Sequence, residues 1–278
     1  MALRDLVPRL RGDTSVIPVV RLTGIISAAA SAVRPGLTFR AVEGALKQAF
    51  AYKAPVVALM INSPGGAAVQ SHMIYRRIRA LAEENDKRVI AAVEDVAASG
   101  GYMIACAADE IIVDMGSIVG SIGVIAAGFG FTVLLERIGV ERRVHTSGRS
   151  KAMLDPFQPE REEDVIRLKA IQDDVHAVFI DLVKTRRPKL KPDPDLFSGA
   201  FWSGRQAIDL GLADRLGDLR SVLQEQFGRT VRLRVIPTER SSWWRRRLGL
   251  GAGRDPVGLL DAVVAYIEER LLWDRYGL

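Results

Sequence analysis

Ser99 stands between two alanines and two glycines, in Ala97-Ala98-Ser99-Gly100-Gly101, shortly after an apolar run from Arg88 to Val93. The run reads as a buried strand, and the small or apolar residues up to Ala108 as a helix, so the serine falls on a tight elbow. A hydroxyl presented there is a candidate nucleophile. Backbone N–H groups at a helix start are unpaired and carry partial positive charge, which suits them to an oxyanion. The same serine could equally be a plain N-cap. As a nucleophile it would need a base. His72 reads as helical, His145 as lying in a strand and His176 as lying in a long helix, so none falls on a loop at a strand's carboxyl end. A lysine can serve if its pocket keeps it neutral, a desolvation that costs about 4 kcal/mol. Lys151 lies on an irregular loop between a predicted strand and the long helix, and is the best candidate, although a solvated loop lysine is the plainer reading. The Pro64-Gly65-Gly66 turn offers the N–H of Gly66 as one oxyanion donor, with the N–H of Gly100 as the other. Such a turn also serves where there is no chemistry.

The elements around these residues alternate. Strands are predicted over 16–22, 55–61, 88–93 and 110–113, with helices over 39–52, 67–84 and from Ser99 to Ala108. Nearly continuous apolar strands separated by helices imply a parallel sheet with right-handed crossovers. Both glycine turns then lie at carboxyl ends of strands, where ligands of such sheets bind. The glycine-rich stretch 115–130 is followed by a predicted helix over 131–138, a strand over 141–146 and a loop over 147–158. Residues 159–187 read as a long amphipathic helix with Val165, Leu168, Ile171, Val175, Phe179 and Leu182 on one stripe. Further helices are expected over 203–210 and 218–227, and a last strand over 230–236.

The chain has 278 residues, of which 48% are hydrophobic and 26% charged, an ordinary globular composition. Its net charge of +6 is concentrated near Arg240, Arg245, Arg246 and Arg247, so the charge does not describe a nucleic-acid surface. A single cysteine, Cys106, excludes an internal disulfide, and three histidines without a Cys/His cluster give no zinc-ligand set. No stretch is apolar enough for a signal peptide or a membrane span, which predicts a cytoplasmic protein. Residues 1–15 form an N-terminal arm, 16–240 the main domain, and 241–278 a Trp-Trp-Arg-Arg-Arg linker with an amphipathic helix over 257–272. That tail could lie on the inner face of a membrane, or pack on its own body or on another copy.

Several segments resemble motifs of the signal peptide peptidase A-type (SppA-like) serine peptidases: Ser63-Pro-Gly-Gly66, Ala97-Ala-Ser-Gly-Gly-Tyr102, Gly120-Ser-Ile-Gly-Val124, Ser147-Gly-Arg-Ser-Lys151 with Asp155-Pro-Phe157, and the stretch from Phe197 to Gly217. The resemblance runs from about Val16 to Ile236. It implies an α/β, Clp-protease/crotonase-like fold of parallel strands with right-handed helical crossovers, and a Ser–Lys dyad. It assigns the nucleophile to Ser99, the general base to Lys151, the lysine-orienting hydroxyl to Ser121, and the oxyanion donors to Gly66 and Gly100. It further implies a homo-oligomeric ring whose serine and lysine come from neighbouring subunits, peptide substrates such as remnant signal peptides, and no metal or organic cofactor. The N-terminal membrane anchor usual in the family is missing here, and the tail beyond Arg240 falls outside the resemblance.

The function expected from the sequence is a serine endopeptidase acting through an acyl-enzyme. The rivals are a crotonase-type acyl-CoA enzyme using the same two amides, a catalytically silent scaffold for membrane proteins, and a serine–histidine triad through His145.

Overall fold

The structure is a computed structural model, and it describes residues 16–28, 36–238 and 270–278. Its centre is three parallel strands, β1 (Val16–Thr23), β2 (Val56–Ser63) and β3 (Arg88–Ala98), in the order β3-β2-β1. β8 (Arg232–Ile236) adds in parallel beyond β1. The far side of β3 is shared by two short strands. β4 (Glu110–Val113) pairs with Ile90–Ala92, and β5 (Ile118–Gly120) pairs with Val96–Ala98. β7 (Arg215–Leu216) extends the sheet from β4, and β6 (Phe201–Ser203) from β5, the one antiparallel pairing among the described strands.

The strands are apolar on both faces because both faces are covered. On one side α1 (Phe39–Phe50), α2 (Ala68–Glu84) and α3 (Gly100–Ala105) bury Val42, Leu46, Ile74, Ile78 and Ile104 against Val57, Leu59, Val89 and Ala91. On the other, Leu219, Val222 and Leu223 of α7 (Leu219–Phe227) cover Ile17, Val56, Ile90 and Ile112. Thr38 accepts from the N–H of Ala41 at the start of α1, and Ser203 and Gln206 close a capping box on α6 (Gly204–Leu210), which ends at Gly211 in the left-handed conformation. Cys106 is buried in the core, and burial pushes its thiol up to about 12, so it packs as an inert apolar group.

One expectation is corrected. Residues 141–146 form no strand; they run irregularly and exposed, and no residue from 124 to 163 is buried. This arm includes the short α4 (Thr132–Arg137), and it has no sheet edge against which a strand could pair. The long helix is present as α5 (Glu162–Arg186), but of its six-residue stripe only Phe179 and Leu182 are buried. Ile171 is 52% exposed, because the first half of α5 extends past the body alongside the arm. The short strands β5, β6 and β7 escaped the sequence reading, since two or three residues carry too little periodicity to register.

The end of α5 is fastened by charge. Arg187, 5% exposed, donates through both terminal nitrogens to Asp214 (2.8 and 2.9 Å) and through Nε to the Gly211 carbonyl (3.1 Å). Asp214 in turn accepts from the N–H of Ile111 at 2.8 Å, joining α5 to β4. Removing one partner leaves a desolvated charge, so Arg187→Ala is expected to cost about 3 kcal/mol in urea unfolding. A loss under about 1 kcal/mol would mean that the pair merely decorates the surface.

Candidate active site

β2 and β3 are neighbours and parallel, so their carboxyl ends lie together, with Ser63 paired to Ala97 across a register shift. The two outgoing turns therefore meet. Gly65 has φ +106, and a Cβ there would come within 2.8 Å of both the Ala98 carbonyl and the Ser99 Cβ. Gly66 has φ +138, and a Cβ there would come within 2.1 Å of the Ile26 carbonyl. A Cβ on Gly101 would fall 2.5 Å from the Ser63 carbonyl. Only glycine satisfies these positions. Ser63 locks the turn from beneath: its hydroxyl donates to the Gly24 carbonyl at 2.7 Å and accepts from the N–H of Gly65 at 3.3 Å.

The segment around Ile26 sets the direction of the Gly66 amide. Ile26 donates to the Gly65 carbonyl (2.8 Å) and accepts from the N–H of Ala67 (2.7 Å). In such a parallel bridge the N–H of Gly66 itself points to the opposite side. Among the described residues, neither this N–H nor that of Gly100 has a backbone acceptor. Ser99, between them, is half-buried at φ 52 and ψ −120, a conformation that side chains rarely adopt. Its N–H donates to the Gly120 carbonyl (2.8 Å) and its carbonyl accepts from the N–H of Met103 (2.9 Å), which holds the residue in place. The Ser99 hydroxyl has no hydrogen bond among the described residues.

Ser99, Gly66, Gly100 and Ser121 line one cleft of about 490 Å³. Ser121 is also at φ 52, fixed by donation of its N–H to the Ala200 carbonyl at 2.7 Å. The wall beyond it comes from Val124 and Ile125, from Val175 and Phe179 of α5, and from Arg275. Sequence reasoning missed the Ile26 bridge and the Ala200 support. Both act through backbone atoms, which leave no residue-type signal, although Phe197-Ser-Gly lies in a quoted motif.

Lys151 does not line this cleft; it is exposed on the arm. The arm has its own order. Phe131 packs at a tilt against Phe157, ring centroids 5.5 Å apart, and Arg142 lies over the Phe157 ring at 4.8 Å while pairing with Asp155. Donation from the N–H of Phe157, with the Arg142 charge, holds the Asp155 carboxyl below the usual carboxylate range. No histidine lines the cleft either. His72 stacks on Tyr75 at 6.1 Å, and burial and then the Arg76 charge hold it below the usual imidazole value. His145 is exposed, and His176 contacts the Ile122 carbonyl through Nε2 at 3.0 Å. Among the described residues, no group of three or more His, Cys, Asp or Glu is placed to hold a metal ion, and no helix is long and apolar enough to cross a membrane.

Known proteins similar to this chain bear on its family and fold. The profile of "Peptidase family S49" matches residues 82–227. The chain is 54% identical over 286 residues to a Brucella abortus protein named Na(+)/H(+) antiporter NhaA, covering 99% of this chain and 39% of that one. It is 32% identical over 221 residues to the chloroplastic serine protease SPPA of Arabidopsis thaliana, covering 78% of this chain and 31% of that one. The chain thus spans well under half the length of these relatives. Among solved structures, a membrane-bound stomatin-specific protease, 1510-N, in a mutant complex with a substrate peptide, is 14% identical with a TM-score of 0.51. That alignment covers 91% of this chain and 98% of the other, and shows a shared Clp-protease/crotonase-like fold.

Holding a serine at positive φ costs about 1–3 kcal/mol. Ser99→Gly should therefore stabilise the protein by about 1 kcal/mol once the flexibility of glycine in the unfolded chain is deducted. Thermal unfolding should report a rise of about 2–4 °C. An unchanged or lowered midpoint would show an elbow without strain.

Proposed function

Because the chain belongs to peptidase family S49, we propose that it is a serine endopeptidase in which Ser99 attacks the scissile carbonyl and Lys151 is the general base. The observation that carries this reading is a strained serine flanked by two amides without backbone acceptors. Lys151, held neutral, takes the Ser99 proton as the Oγ–carbon bond forms. The N–H groups of Gly66 and Gly100 donate to the resulting oxyanion, and loss of one such donor typically costs about 2.7–4 kcal/mol of transition-state stabilisation. Lys151 then gives its proton to the leaving amine as the peptide C–N bond breaks, and water hydrolyses the acyl-enzyme. Ser121 lines the same cleft and orients the lysine.

The exposed position of Lys151 supports a dyad formed between copies. The arm exposes Ile125, Phe129, Val133, Leu134 and Ile138, all more than half exposed, and so does Ile171 on the adjoining helix. Apolar side chains at this density belong against another surface. A second copy is the occupant that would also bring an amine to the cleft, and a head-to-tail contact of this kind closes a ring. Peptides are the substrate class. The antiporter name is not carried over, since it describes a protein of which this chain matches 39%, whereas the S49 profile falls wholly within the chain.

Mixing inactive subunits tests the arrangement. Ser99→Ala and Lys151→Ala chains should each lack peptidase activity, yet when refolded together in equal amounts they should regain about a quarter of wild-type turnover. That is the fraction of sites in which an intact serine meets an intact neighbouring lysine in a randomly assembled ring. Mixtures as silent as the separate variants would rule out a shared dyad, and full activity of Lys151→Ala alone would remove the lysine from the mechanism.

A further inference from the structure

We infer that Arg275 is a specificity residue of the Ser99 cleft and receives a carboxylate of the bound peptide. The inference rests on the peptidase reading and names one feature of its substrate. Every other described residue lining the cleft is uncharged, so the guanidinium of Arg275 is the only full charge on its wall. It comes from the far end of the chain, outside the 82–227 stretch matched to the family. The segment 270–278 is nonetheless anchored. Tyr276, 7% exposed, packs with Val96 and Ala98 of β3, and its ring meets Phe201 of β6 edge-on at 5.1 Å. Trp273 and Ile118 border the same cluster. The anchor rests on the two strands whose ends carry Ser99 and Ser121, so Arg275 is held at the wall of the cleft that both serines line.

Its charge is left for a ligand. Arg270, in the same segment, pairs with Asp274 at 3.2 Å, whereas Arg275 has no carboxylate within 4.0 Å among the described residues. Its one described aromatic contact is with Tyr276, 5.9 Å from the ring centroid. A planar guanidinium facing an otherwise uncharged cleft matches a carboxylate. In a peptide that group is either an acidic side chain or the free C-terminus.

Equilibrium binding to the full-length Ser99→Ala protein tests this without turnover. The probes are fluorescein-labelled decapeptides of alanine, leucine and serine: one with a free C-terminal carboxylate, one amidated, and an amidated set with a single glutamate moved along the chain. The parent should bind a carboxylate-bearing probe about fivefold more tightly than the amidated one at low salt, the factor for a partly screened ion pair. The advantage should shrink as salt is added. The probe that shows it identifies the source, chain end or side chain. The ratio should fall to one in Arg275→Gln and invert in Arg275→Glu. A ratio unchanged by either substitution, or no measurable binding of any probe, would overturn the proposal. Because the readout is binding, absent turnover in the Ser99-intact protein beside an intact ratio would count against the nucleophile and not against Arg275.

Discussion

Two parallel strands end side by side, and the turns that leave them must pass in contact. The site depends on that approach. A Cβ on Gly65 would strike Ser99, one on Gly66 would strike the Ile26 carbonyl and one on Gly101 the Ser63 carbonyl, all closer than a side chain tolerates. The close approach forces Ser99 to positive φ and leaves the amides of Gly66 and Gly100 without backbone acceptors. Strain and unpaired donors ordinarily count against a fold. Here the covered sheet bears the cost, with Val57, Leu59, Val89 and Ala91 wholly buried beneath the turns.

The molecule divides its proposed chemistry between two kinds of structure. The nucleophile and both amides lie on the densely packed body, where small displacements are resisted from every side. The proposed base lies on an arm in which no residue from 124 to 163 is buried. A lysine on such an arm is open to solvent. In the proposed mechanism, assembly therefore does more than bring two residues together: it removes water from the amine. The arm is already ordered by the Phe131–Phe157 and Arg142–Asp155 contacts, so docking it would cost less conformational entropy than docking a disordered loop.

The body was largely legible from residue pattern. β2 and β3 announce themselves as apolar runs, α1 and α2 by helical spacing, and the elbow at Ser99 by alanines and glycines set around one hydroxyl. The arm was misread for a physical reason. The strand expected over 141–146 rested on a short segment, Glu141-Arg-Arg-Val-His-Thr146, that carries too little apolar periodicity to define a buried face. For α5 the apolar stripe was legible while the surface it packs against was not, since only Phe179 and Leu182 of it are buried in this chain. The predicted tail helix over 257–272 lies mostly outside the described residues, yet Trp273 and Tyr276 just beyond it pack on the body. The contribution of Arg275 to the cleft was invisible, because a contact between residues far apart in the chain has no local signature.

The central claim is that one hydroxyl, held at the elbow, is chemically activated. The most direct measurement is adduct mapping with diisopropyl fluorophosphate on the assembled protein, digested and read by mass spectrometry. The account predicts one phosphoryl adduct, on the peptide containing Ser99, lost in Lys151→Ala as well as in Ser99→Ala. An adduct on another serine, or a Ser99 adduct that forms equally fast without Lys151, would contradict it.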